Sequence, residues 1–248
     1  MKKLQLVTLS LGGILLAGVL FTACNKSNFD NTNPDVAALM AFNLSPDKPV
    51  NLALSGNGLT NSPLAFTSYT GGYLSIYPGN RIFQSYDYTT GDSLATTSFT
   101  FEVKKYYSAF VLGSNGVYQH VIVNDNFDSL SGTSGKAYTR YINAIPGSVN
   151  AAVSITAGGT PVNNNAAFAS ISEFSAVTPG DVIIAVSEGS SINVSRTITM
   201  EQKKVYTVLL LPGANTADPA QIKYIVNGTL DDASGQRTSS SARSVNMN

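Results

Sequence analysis

The chain has no tryptophan, one histidine, one cysteine and few charges, with Asp, Glu, Lys and Arg making up 12% of its 248 residues. Each scarcity closes off a class of function. A single histidine and a single cysteine cannot build a zinc site of the usual Cys/His kind or a disulfide framework. Without tryptophan there is no indole platform on which a sugar ring could stack. The 15 basic residues are matched by 15 acidic ones, so no net positive field draws in a phosphate backbone, and nucleic acid is not expected as a partner. A hydrophobic content of 43% is too high for a wholly disordered chain. Nothing in this composition calls for a cofactor or a bound metal.

What is present begins with an address. Lys2 and Lys3 precede 18 uncharged residues, Leu4 to Phe21, rich in Leu, Val, Gly and Ala, which is the organisation of a signal peptide. The run ends in Leu20, Phe21, Thr22 and Ala23, directly before Cys24, the one cysteine. This stretch resembles a bacterial lipobox. The resemblance implies removal of residues 1–23, a diacylglycerol on the Cys24 thiol and a further acyl chain, such as palmitate, on its new amino group. Several acyl chains anchor a body stably where one is marginal, so the expected partner is the membrane, reached through lipid. Asn25 stands where an inner-membrane retention signal would carry Asp, and by analogy the expected location is the cell envelope, lipid-anchored to the outer membrane. Loss of residues 1–23 leaves 13 basic against 15 acidic residues, a net charge of −2.

Residues 24–35 then read as the lipidated cysteine and a polar, aperiodic tether, and residues 231–248 as a disordered tail. Between them lies an internal repeat. Asn43 and Pro46 correspond to Asn143 and Pro146. Val50, Asn51 and Leu54 correspond to Val149, Asn150 and Val153, and Tyr77-Pro78-Gly79 to Thr178-Pro179-Gly180. The run from Phe101 to Ser108 is echoed from Met200 to Thr207, and the offset stays between 99 and 101 throughout. Two tandem domains are expected, at 36–130 and 136–230, joined by a stretch crowded with Ser, Gly and Thr.

Each copy is made of short segments rich in β-branched and aromatic residues, punctuated by Gly, Pro, Asn and Asp. About seven strands fall in each copy. They predict an all-β chain of two immunoglobulin-like antiparallel β-sandwiches. In both Pro-Gly pairs, Pro presets φ and Gly permits a positive φ, so these turns are architectural.

The run from Ala41 to Gly56, with its Ser45-Pro46-Asp47 turn between two strands, resembles the opening of the domain of unknown function 4397 family. Tyr77-Pro78-Gly79 and Lys105-Tyr106-Tyr107-Ser108 are similar to its later turn and strand, and the likeness covers residues 37 to 230 in two copies. Asn43 and Asn51 depart from the His and Asp common in that family. The resemblance implies an exported bacterial β-sandwich protein and brings no established activity.

The search for chemistry yields few candidates. His120 lies in the alternating run Val117 to Val123, sharing a face with Tyr118 and Ile122, with no hydrolase or metal spacing around it. No catalytic residue is assigned and no enzymatic activity is expected. Asp125 and Asp128 sit among asparagines in a turn that lacks the Gly and terminal Glu of a calcium loop. Tyr73, Tyr77, Tyr86 and Tyr88 form a dense set without a counterpart in the second copy. They are the candidate ligand-binding residues, suited to a glycan or an envelope protein if exposed. The expected role is structural, adhesive or accessory binding, with glycan binding through the first-domain tyrosines as the alternative.

Overall fold

In the computed structural model, residues 35–156, 162–215, 217–230 and 237–238 are described. The signal peptide, Cys24 and all of the tether but Asp35 lie outside the described residues, as does the tail except Arg237 and Thr238. The described residues belong to one compact unit that begins at Asp35.

The first half contains β1 (Ala37–Asn43), β2 (Val50–Leu54), β3 (Asn57–Gly58), β4 (Leu74–Ile76), β5 (Gly79–Asp87), β6 (Ser93–Phe101), β7 (Tyr106–Ser114) and β8 (Val117–Asn124). The second contains β9 (Ala137–Asn143), β10 (Ala151–Thr156), β11 (Val162–Ala166), β12 (Ser175–Val177), β13 (Gly180–Glu188), β14 (Ile192–Met200), β15 (Lys204–Leu211), β16 (Gln221–Leu230) and β17 (Arg237–Thr238). A 3-10 turn, Phe127–Ser129, leads out of the first half. Each half is a sandwich of two sheets. The orders are β3-β2-β5-β6 over β4-β1-β7-β8, and β11-β10-β13-β14 over β12-β9-β15-β16-β17.

The expected tandem β-sandwich is therefore the architecture, with two refinements. Most pairings are antiparallel, but β1 runs parallel to β7, and β9 to β15. The chain between these strands passes through the other sheet, and only such a long crossover permits parallel neighbours. The repeat register also shifts. Val50 and Ala151 are both fully buried at the start of β2 and β10, whereas Val149 is 76% exposed. The structural equivalents of Val50, Leu52 and Leu54 are Ala151, Val153 and Ile155, an offset of 101 instead of the 99 read from sequence. Asn143 lies at an offset of 100 from Asn43, and one extra residue before Ala151 brings the offset to 101.

Burial explains the patterns within strands. In β5 the residues Phe83, Ser85 and Asp87 are buried while those between them are more exposed, the alternation of a sheet with one wet face. In β7 and β15 almost every residue is buried. Their sheets are covered on both sides, which is why both strands read as continuous apolar runs. Leu39, Ala41, Tyr107, Ala109 and Val111 pack toward their own sandwich. Met40, Phe42, Phe110 and Leu112 face the other way, joining Ile142, Leu209, Leu211 and Ile225 of the second half in one cluster. The two sandwiches thus share an apolar core, and the unit is four sheets deep.

Both copies turn their strands with the same devices. Gly79 and Gly180 take φ of 98° and 117°, as the Pro-Gly reading required. Lys104 and Lys203 are both left-handed, at 61° and 66°. The buried Tyr107 and Tyr206 hydroxyls each accept the backbone N–H five residues upstream, Glu102 at 2.9 Å and Glu201 at 2.8 Å.

Candidate functional site

Asn43 and Asn143, which the repeat singles out, are fully buried and serve the backbone. Asn43 Nδ2 donates to the carbonyls of Lys48 (2.7 Å) and Leu64 (2.9 Å), and its Oδ1 accepts the Ser45 N–H. Asn143 repeats this, donating to Ser148 Oγ and the Ala166 carbonyl and accepting from Ile145. Each holds a turn to a neighbouring segment, work that a backbone needs wherever buried groups would otherwise lack partners.

The four candidate tyrosines separate. Tyr73 is part of the junction between the halves: its hydroxyl donates to Asp125 Oδ2, and its ring meets Tyr106 edge-on at 5.1 Å. Tyr77 is 69% exposed and precedes the turn into β5, while Tyr88 follows the end of that strand at 56% exposure. Nine extended residues separate these ends by about 27 Å. Tyr86 lies on the outer face of β5, and Tyr88 stands in the turn that follows. The face carries Ile82, Gln84 and Tyr86, and across the pairings Asn51, Ala53, Ser93, Thr96 and Ser98, without one charged side chain.

Asp125 and Asp128 also part company. Asp128 pairs at the surface with Lys105 at 2.6 Å. Asp125 is fully buried and pairs at 2.5 Å with Arg140, whose side chain is 3% exposed. Around this pair Arg140 donates to Ser108 Oγ (2.9 Å) and Thr207 Oγ1 (3.1 Å), Ser108 donates to Asp125 (2.9 Å), and Thr207 donates to Asn227 (2.6 Å). Asn227 reaches the Tyr73 hydroxyl at 3.2 Å, and the guanidinium lies 4.4 Å over the Phe174 ring. Residues from both halves close this network. Sequence reading took Asp125 for a turn residue and did not single out Arg140; an arginine inside the otherwise uncharged strand Ala137–Asn143 was the one available signal.

His120 bridges the sheets of the first sandwich. Its ring nitrogens lie 2.8 Å from Ser85 Oγ and 3.0 Å from Thr97 Oγ1, and burial lowers its pKa from 6.5 to about 4. The Ser85 hydroxyl it holds is fully buried, out of reach of any substrate.

A recess of about 900 Å³ opens where the loops after β1, β7, β9, β13 and β15 meet, so both halves line it. Its walls include Pro46, Pro146 and Pro212 together with the carboxylates Asp47, Glu188 and Asp218, and no Lys, Arg or His. Asp47 accepts from the Asn115 N–H and the Tyr118 hydroxyl, both at 2.8 Å. Glu188 Oε1 accepts the N–H groups of Val149 (3.0 Å) and Asn150 (2.9 Å). Glu188 Oε2 is buried and accepts no hydrogen bond from the described residues. No group of three or more His, Cys, Asp or Glu among the described residues is placed to hold a metal ion. The carboxylates are spread along the recess.

No curated protein matches the chain. The family model described as Domain of unknown function (DUF4397) matches twice, over residues 37–150 and 137–238, the two stretches that hold the two sandwiches. With the same strand order, the same turn devices and the same buried asparagine in each half, the chain belongs to the DUF4397 family and carries its domain in tandem.

Proposed function

We propose that the protein is a non-enzymatic, lipid-anchored component of the cell envelope, held to the outer membrane through Cys24, whose two-sandwich body serves a structural, adhesive or accessory binding role. The observation that supports it best is the junction of the halves. A shared apolar core with a closed polar network makes a stiff block, suited to presenting a preorganised surface. Stiffness matters because a body that does not flex loses little conformational entropy when it docks. The anchor is tested by metabolic labelling with an alkyne fatty acid. Label in the intact chain that vanishes in Cys24→Ser supports the reading, and an unlabelled membrane-bound chain overturns it.

A second reading, glycan binding, is favoured by one observation: Tyr86 lies on an uncharged sheet face bordered by amide and hydroxyl side chains, and the exposed Tyr88 follows in the next turn. Such a surface offers ring contact and neutral hydrogen bonding without charge to desolvate. Screening residues 25–248 against a glycan and envelope-polymer array, beside Tyr86→Ala and Tyr88→Ala, tests it. Binding lost in both variants supports carbohydrate recognition by the first domain. A blank array returns the role to structure or to a protein partner.

A further inference from the structure

The two repeats carry the same turns at one end of the molecule and fill them with different chemistry. β1 and β9 both run from this end toward the 900 Å³ recess, and the chain enters here from the tether at Asp35. Ile76 pairs with Ala37 and Gly79 with Phe101, which sets Tyr77 beside Val36 and next to the turn that holds Val103. The Lys104 N–H donates to the Val36 carbonyl at 2.8 Å, and the Lys203 N–H repeats the contact on the Lys136 carbonyl at 2.7 Å. Tyr77 is 69% and Val103 41% exposed, and Val36 is half-buried. The corresponding residues of the second repeat are Thr178, Gln202 and Lys136, all polar and exposed. The turns form equally well with polar side chains, so the fold does not require apolar ones at these positions. They occur only in the repeat that the tether enters.

The geometry points to a contact between this end and the lipid surface that holds the anchor: Tyr77, Val103 and Val36 rest at the level of the headgroups, with Lys104 and Arg81 beside them. The inference rests on the reading of Cys24 as the lipidated residue. From Cys24 to Asp35 the chain spans at most about 38 Å, which keeps this end near the acyl chains at an effective concentration on the order of millimolar, enough to populate a weak contact. Tyrosine suits the boundary because its ring is apolar and its hydroxyl polar. Arg81 Nε donates to the Tyr77 carbonyl at 3.2 Å, which holds the guanidinium at the same turn. Lys104, 3.7 Å from Asp35 at the surface, keeps its side chain 82% exposed and can lay its stem along the bilayer with its ammonium on a phosphate. Two other lysines at this end have partners, Lys105 in Asp128 and Lys204 in Glu201, so the contact is chiefly apolar. The opposite end carries Asp47, Asp92, Glu188 and Asp218 with Lys223 as counter-charge, besides an Asp87–Lys48 pair at 2.6 Å. Glu188, the counterpart of Asp87, is held by two backbone N–H groups instead of a lysine. An anionic bilayer repels that excess of acid and favours the orientation with Tyr77 toward the lipid.

The chain has one cysteine and no tryptophan, so one attachment point and one reporter can be placed without ambiguity. The mature chain from Cys24 is coupled through its thiol to a maleimide lipid in vesicles of phosphatidylethanolamine and phosphatidylglycerol that contain brominated acyl chains. Tryptophan is introduced singly, as Tyr77→Trp, as Thr178→Trp in the matching turn of the second repeat, and as Tyr88→Trp beyond the far end of β5. Blue-shifted emission, with quenching at least twofold stronger than in the other two variants, is expected for Tyr77→Trp. Adding Val36→Lys and Val103→Gln, the residues of the second repeat, is expected to remove most of that quenching. Quenching of Tyr77→Trp no stronger than that of Tyr88→Trp, equal quenching of Thr178→Trp, or undiminished quenching after the two added replacements would each overturn the inference. The coupling supplies the lipid chemically, so these outcomes are independent of whether fatty-acid label appears on Cys24 in the cell.

Discussion

At the scale of single residues, the buried polar side chains have local tasks that a sequence signals only as an unexpected residue type. Asn143 makes three hydrogen bonds inside the second sandwich. Asn143→Ala would strand a buried N–H and a buried carbonyl, and we expect it to cost about 2–4 kcal/mol in urea unfolding, with a similar loss for Asn43→Ala. His120 gives stability a pH dependence. Its folded pKa of about 4 lies below its ordinary 6.5, so the unfolded chain takes up the proton first. The contribution is complete above about pH 6.5 and is lost as pH falls toward 4, a change on the order of 2–3 kcal/mol. His120→Gln keeps a hydrogen-bonding side chain without titrating, so its melting temperature should fall less between pH 6.5 and 4.5 than that of the parent chain. The alternation from Val117 to Val123 correctly put His120, Tyr118 and Ile122 on one face. That Ser85 and Thr97 would meet the ring was not legible, because they come from strands paired by the fold and not by proximity in sequence.

At the scale of elements, strands and turns were the most legible features. Alternation and Pro-Gly chemistry act over two to four residues, so the β5 and β13 segments and their entry turns could be placed within a few residues. The misses have the same physical root. β3, Asn57–Gly58, and β11, Val162–Ala166, lie in polar stretches whose strand character comes from pairing with β2 and β10, not from their own propensity. β6 opens on Ser, Ala and Thr, weak signals of a strand in a sequence, which pair with β5 as well as larger residues do. The β7–β8 hairpin supplies a sharper test. A Cβ on Gly113 would stand 2.1 Å from the Val117 carbonyl oxygen, at a φ of +116°. Gly116, in the same hairpin, has open space around it and a φ of +84°. Gly113→Ala should therefore lower stability well beyond the roughly 1 kcal/mol expected of Gly116→Ala, read as the difference between their urea midpoints.

At the scale of the molecule, the junction governs behaviour. A large apolar interface with a buried ion pair leaves little reason for the halves to move or melt separately. Calorimetry of the whole chain should show one transition whose calorimetric and van't Hoff enthalpies agree, and two resolved peaks would contradict the shared core. Arg140→Met would bury the Asp125 carboxylate without its partner and is expected to cost about 3–5 kcal/mol. Pairing it with Asp125→Leu should recover much of that loss, since the penalty lies in the unpaired charge.

The sequence by itself determined the repeat, the all-β class, the turn positions and the expected export address, because each is written in residues close together or recurring at a steady interval. Tertiary structure alone decided that Asp125 would find Arg140, that Tyr73 would be drawn into the junction while Tyr77 and Tyr88 stay exposed at opposite ends of β5, and that Glu188 would stand without the lysine its counterpart has. Those outcomes rest on which sheet faces which and on the register of one repeat against the other, and neither can be read from the short-range pattern of a strand.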